Sequence, residues 1–195
     1  MSQPYCYKYG SDVALADTYR RRLREIALDQ YGYVTTRDAE GVGVPAVELR
    51  KLAQRGGLDH IAYGLYRFDD IPRTGRDQYM EAVLRVGPGA YLTHDAALAL
   101  HDLGLVNPRR IRVGTPKRAR PYLPDDVEVV QRRLDKAELT VFEGIPTTTV
   151  RRALLDCRDL VIRERLLDAA REAARRGLLR RDQADGVISE IGGAA

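Results

Sequence analysis

The stretch LRKLAQRGGLDHIAYGLYRF, Leu49 to Phe68, constrains the fold more than any other part of the chain. A helical pattern stops at Gly56-Gly57, and the next eleven residues, Leu58 to Phe68, alternate like two short strands around a Tyr63-Gly64 turn. Two glycines reach positive φ at little steric cost, so a helix can end and the chain reverse with no linker between. The question is whether this joint serves packing alone or holds something.

The residues upstream narrow the answer. Over Asp17–Tyr31, Tyr19, Leu23, Ile26 and Ala27 share one helical face, Arg20, Arg21, Arg22 and Arg24 lie largely outside it, and Asp17 or Thr18 can cap the start. Tyr33-Val34-Thr35 reads as a short extended piece. Thr35-x-x-Asp38 approximates a capping box for one short helix, closed by Gly41 and Gly43. Pro45 suits the first turn of the next helix, where its missing N–H costs nothing. Along that helix Leu49, Leu52 and Ala53 point one way, and Ala46, Glu48, Arg50, Lys51, Gln54 and Arg55 are left for the other. The order helix, strand, helix, turn, helix, hairpin is a winged helix-turn-helix.

Such a unit has a physical use on DNA. A helix fits the major groove, and its first residues and outward face reach base edges. Small Pro45, Ala46 and Val47 permit close approach, and Arg50, Lys51, Gln54 and Arg55 supply phosphate or base contacts. His60, Tyr63 and Arg67 fall on the hairpin, which would lie along the flanking backbone as a wing. Phosphate contacts would dominate affinity. Glu48 on the reading face mildly opposes phosphate binding, and a winged helix used only for protein contact is the bland alternative.

Composition excludes several classes. The chain has 195 residues, 44% hydrophobic and 31% charged, with a formal net charge of +4, which is ordinary for a globular protein. No apolar run approaches the roughly 18 residues of a membrane span, and MSQPYCYKYGSD lacks the apolar core of a secretory signal, so a cytoplasmic location is the expectation. Cys6 and Cys157, with three histidines in all, make neither a disulfide framework nor a metal site. The positive charge is concentrated: Arg109, Arg110, Arg112, Lys117, Arg118 and Arg120 occur in RRIRVGTPKRARP without an acid, a candidate second DNA contact or partner surface. No phosphate-binding glycine loop occurs.

DDIPRTGRDQ from Asp69 is a polar connector. Beyond it the pattern predicts a helix over Tyr79–Arg85, a second capped at Thr93 and closed at Gly104, and strands in RRIRVGTP, VEVVQRRL and ELTVFEG. A helix capped at Thr148 or Thr149 comes next, then an amphipathic helix from Arg163 built on Leu166, Leu167, Ala170 and Ala174, and a last helix near Arg181–Glu190. The expected domains are a tail over 1–16, a winged helix over 17–70 and a mixed α/β domain over 71–195, α+β as a whole. Thr93-His94-Asp95 and His101-Asp102 lack the assembled nucleophile and orienting partner that catalysis requires, so no catalytic residue is assigned.

GYVTTRDAEGVGVPAVELRKLAQRGGLDHIAYGLYRF resembles the N-terminal winged helix of the AbiEi family, antitoxins of type IV toxin–antitoxin pairs. The shared features are Gly32, Thr35, Asp38-Ala39, Gly43-Val44, Leu49, Leu52, Gly56 or Gly57, Leu58 and Gly64-Leu65-Tyr66-Arg67. AYLTHDAALALHDLGLVNPRRIRVGTPKRAR and EGIPTTTVRRALLDC are similar to two segments of the family's C-terminal domain, the second leading into an Arg-x-Leu-x-Asp helix. The resemblance implies an autorepressor of promoter repeats, self-associating on DNA, that opposes a nucleotidyltransferase toxin encoded beside it, with or without direct contact. It also implies a nuclease-like architecture in the second domain. Asp125, Asp126, Glu128 and Glu138 are the carboxylates at hand there, but no strand carries the Glu-x-Lys of such nucleases, so an inactive scaffold with no metal or cofactor is expected. The other readings are a ligand-responsive winged-helix repressor and a DNA-processing nuclease.

Overall fold

A computed structural model describes residues 8–117 and 122–193, with side chains from residue 18 onward. The fold is α+β, and the chain divides into two compact units, Met1–Asp77 and Gln78–Ala195.

The first unit opens with α1 (Lys8–Asp29), which begins well before the start expected at Asp17. The intervening Val13-Ala14-Leu15-Ala16 holds no breaker, and most of it propagates a helix readily. After α1 come β1 (Tyr33–Thr35), α2 (Thr36–Gly41), α3 (Ala46–Gln54), β2 (Leu58–Ala62) and β3 (Leu65–Phe68). The Thr35 hydroxyl accepts from the Asp38 amide at 3.1 Å, and the Asp38 carboxylate accepts from the Thr35 amide at 2.8 Å, a complete capping box. Leu23, Ala27, Val34, Leu49, Leu52 and Phe68 meet in one core, which seats α3 against α1 and the sheet. At the joint, Gly56 and Gly57 both have positive φ. A Cβ on Gly57 would also lie 2.6 Å from an Arg20 guanidinium nitrogen, and that guanidinium sits 5.3 Å from the Phe68 ring centre. The joint therefore needs glycine for its conformation, and a side chain at position 57 would also displace the Arg20 guanidinium.

The small sheet has the order β1-β3-β2, antiparallel throughout, so β3 is its middle strand. All four β3 residues are buried, and Arg67 is 2% exposed. The sequence reading of Arg67 as a wing contact is therefore corrected. Tyr66 and Phe68 face the helical core, and the alternation turns Arg67 to the other side, where the connector folds over it. Its guanidinium donates to the Phe68 carbonyl at 3.0 Å and the Ile71 carbonyl at 2.8 Å. The Asp77 carboxylate lies 3.6 Å away, an ion pair rather than a hydrogen bond, and the Tyr33 ring centre is 5.7 Å from the guanidinium.

The second unit contains α4 (Asp77–Val86, its first residue still in the first unit), β4 (Tyr91–Leu92), α5 (His94–Leu100), β5 (Ile111–Thr115), β6 (Val127–Gln131), β7 (Leu139–Phe142), β8 (Ile145–Thr148), α6 (Val150–Asp156), α7 (Arg163–Arg175) and α8 (Arg181–Gly192). Its sheet order is β6-β5-β4-β8-β7. β4 pairs antiparallel with β5 and parallel with β8, so segments distant in sequence meet at the centre. Neither β4 nor β8 was predicted: β4 is two residues long, and Pro146 inside β8 argues against a strand. Where β4 meets β5, a Cβ on Gly114 would fall 2.2 Å from the Tyr91 ring, so only glycine fits beneath that ring. On α7 the buried stripe is Leu166, Ala169, Ala170 and Ala173, one step round from the expected set, with Leu167 and Ala174 at its edges.

Arg67→Ala leaves the Asp77 carboxylate buried without its cation and two carbonyls without their donor. It is expected to cost roughly 2–4 kcal/mol. Urea denaturation at neutral pH, followed by circular dichroism, measures this; a cost well under 1 kcal/mol would mean the arginine merely fills space.

Candidate nucleic-acid interface

Helix α3 has an inner and an outer face because its two buried leucines, Leu49 and Leu52, sit three residues apart. Val47, Arg50, Lys51 and Gln54 form the opposite stripe at helical spacing, and all four are exposed, as are Pro45 at the N-cap and Arg55 at the C-cap. Ala46 is half-buried. Lys51 donates to the Glu48 carboxylate at 2.8 Å, with the side chains 51% and 25% exposed respectively. An exposed pair of this kind is worth about 0–1 kcal/mol, so the lysine can trade its carboxylate for a phosphate at small cost.

On the hairpin, Asp59 and His60 are exposed, and Tyr63 at the turn is 88% exposed. The His60 ring lies 5.0 Å from the buried Tyr66 ring, which gives it a platform. The ladder shifts register between His60 and Ala62, and an irregularity of this sort adds local twist to a ribbon. The turn is tied to α2 by the Thr36 amide, which donates to the Gly64 carbonyl at 2.9 Å. Arg37 on α2 and Arg21 on α1 are further exposed cations of this unit. Sequence reasoning left both out of the candidate site, because a cation in a helical pattern is usually just a solvated face.

The basic run of the second unit is less uniform than its sequence reads. Arg109, Arg110 and Lys117 are exposed. Arg112 instead turns to two acids, Asp95 at 2.7 Å and Glu128 at 3.3 Å, so its charge is spent within the unit. Arg118 and Arg120 lie outside the described residues. Arg109, Arg110, Arg112, Asn107, Asp95 and Glu128 line much of an open cleft of about 360 Å³.

Residues 21–68 match the family described as "Transcriptional regulator, AbiEi antitoxin". Over this segment the chain is similar to AbiEi-type regulators. The match runs from within α1 to the last residue of β3, so it spans the helix–hairpin joint and the whole outer face of α3. A solved structure titled as the RV2827C protein from Mycobacterium tuberculosis is similar at 19% identity, over 90% of this chain and 78% of that one, with a TM-score of 0.46. No curated protein matches the chain.

Beyond the AbiEi-type segment, a network of ion pairs centres on Asp156, the acid of the Arg-x-Leu-x-Asp helix. Arg132 donates to both carboxylate oxygens, at 3.1 and 2.7 Å, and Arg152 donates to one of them at 2.9 and 2.5 Å. Of the two arginines that open α6, only Arg152 makes the intrahelical pair; Arg151 reaches Glu190 instead. Arg152 also meets Glu138 at 3.1 Å, which links α6 to the turn before β7. Burial alone would raise the Asp156 pKa, but the hydrogen bonds from Arg152 and Arg132 outweigh it and hold the carboxyl below its ordinary value. Thr93 stands at the N-cap of α5 without making a side-chain cap bond. Its hydroxyl lies 3.1 Å from His94 Nδ1 and donates to Asp156 at 3.4 Å. Burial lowers the pKa of His94, which favours the neutral ring. Cys157 is a buried thiol whose pKa burial pushes far up, so it is a poor nucleophile. Glu128 and Glu138 are held by Arg112 and Arg152, and among the described residues no group of three or more His, Cys, Asp or Glu side chains is placed to hold a metal. No helix among the described residues is long and apolar enough to cross a membrane.

Because the folded Asp156 carboxyl ionises at lower pH than the unfolded one, its contribution is complete above the ordinary aspartate range. It is lost as pH falls through the depressed folded value. Asp156→Asn is expected to cost roughly 2–4 kcal/mol at pH 7 and progressively less toward pH 3. Urea midpoints across that range test the assignment, and a pH-independent difference would overturn it.

Proposed function

We propose that this AbiEi-type regulator is an antitoxin of a type IV system that binds repeats in its own promoter and represses its operon. Helix α3 lies in the major groove, and the hairpin β2–β3 lies on the flanking backbone. The observation that carries this reading is the outer face of α3. Arg50, Lys51, Gln54 and Arg55 are exposed there, on a helix whose inner face is locked by Leu49 and Leu52 and whose end is joined through Gly56-Gly57 to the hairpin. His60 and Tyr63 are the hairpin's contacts, and Pro45, Ala46 and Val47 let the start of α3 approach the bases. Arg109, Arg110 and Lys117 form a further contact, with DNA or with another partner. Paired repeats call for two copies associating on the DNA. The protein acts without catalysis and counters a nucleotidyltransferase toxin encoded beside it.

A gel-shift titration against the upstream promoter tests the DNA half. Affinity should fall roughly 10³-fold between about 50 and 200 mM salt if some six phosphates are neutralised. Arg50→Ala should flatten the log–log salt dependence by about 0.9 if it removes one phosphate contact. Binding indifferent to promoter sequence and to Arg50 would make the winged helix a protein-contact module. Growth rescue on co-expression with the adjacent toxin gene tests the antitoxin half.

A further inference from the structure

Val47 is the one residue of the outer stripe of α3 whose chemistry phosphate binding does not use. It is 50% exposed, the second residue of the helix, and one turn before Arg50 and Lys51. The core of the unit is built from Leu49 and Leu52 on the other side and does not include it. Nothing in helix formation calls for valine here, since a β-branched side chain loses freedom against the preceding turn. Single exposed apolar residues are common on protein surfaces, so exposure alone would mean little. The position adds meaning: a short, stiff apolar side chain stands where the helix would come nearest the floor of a groove, beside Pro45 and Ala46.

Among the base edges of the major groove, the apolar group is the 5-methyl of thymine. We propose that Val47 is a specificity-determining residue that packs on the 5-methyl group of a thymine in the operator, an inference that rests on α3 lying in the major groove. Arg50 and Lys51, at i+3 and i+4, hold the helix by charge, while Val47 selects. Its single preferred χ1 in a helix means that little side-chain freedom is lost on contact.

Uracil interference on the upstream promoter tests this, because deoxyuridine removes the methyl and leaves the pairing edge intact. The probe is that duplex, randomly substituted with deoxyuridine, bound to the full chain. The native protein is expected to bind about 3- to 5-fold more weakly where the contacted thymine is replaced, the ratio for withdrawing one methyl-sized group from water. Val47→Ala is expected to lose sensitivity at that thymine while keeping the rest of the pattern, and Arg50→Ala to weaken binding with the thymine pattern unchanged. A thymine pattern in Val47→Ala that matches the native one at every position, or no thymine sensitivity in the native protein, overturns the role of Val47 while Arg50-dependent promoter binding leaves the α3 reading standing. If the native protein shows no promoter-selective binding, both fall together.

Discussion

The geometry of the first unit depends on Arg67 beneath the middle strand of its sheet. β3 pairs with β1 on one side and β2 on the other, so its placement sets both the hairpin and the entry to α2. Its core-facing residues, Tyr66 and Phe68, are held by ordinary apolar packing. The opposite face is closed by the guanidinium of Arg67, which gathers the Phe68 and Ile71 carbonyls and sits near Asp77. A buried cation of this kind is weak evidence for added stability, because desolvation offsets much of the attraction. Its effect is to make one arrangement of the connector far better than others, since any displacement leaves a charge or carbonyls buried without partners.

A rigid base is what the outer face of α3 needs. Arg50, Lys51, Gln54 and Arg55 gain nothing for the fold by being exposed; they are useful only if the helix beneath them and the hairpin beside them hold a fixed relation. Three features supply it: the leucine face in the core, the glycine pair at the joint, and Arg20 lying over Phe68 against Gly57. The second unit uses the same device with the sign reversed. There a buried carboxylate, Asp156, gathers arginines from the end of β6 and from α6. In both units a fork-shaped guanidinium meets several acceptors, a geometry that lysine cannot reproduce.

Much of the first unit was legible because its signals are local. The capping box at Thr35–Asp38, the Leu49/Leu52 spacing, the glycine stop and the alternation of the hairpin each act over a few residues. The start of α1 was misplaced because Asp17 and Thr18 suit an N-cap, yet inside a longer helix each costs less than about 0.7 kcal/mol relative to alanine and does not stop it. In the second unit β4 and β8 were missed, because two residues and a proline carry no strand pattern of their own. β4 is a strand because β5 and β8 supply partners from elsewhere in the chain, and β8 is one because it lies between β4 and the neighbouring β7.

The arginines mark the boundary most clearly. The sequence by itself determined which helix is amphipathic, which face is basic, and that a hairpin is joined to it without a linker, since periodicity and glycine stereochemistry act through neighbours along the chain. Only the tertiary structure decided what each cation does. Arg50 faces solvent, Arg67 is sealed under a strand, Arg112 turns to Asp95 and Glu128, and Arg152 rather than Arg151 holds Asp156. Charge is written in the residue, but its partner is set by residues that folding brings within a few ångströms, and no local pattern encodes that distance.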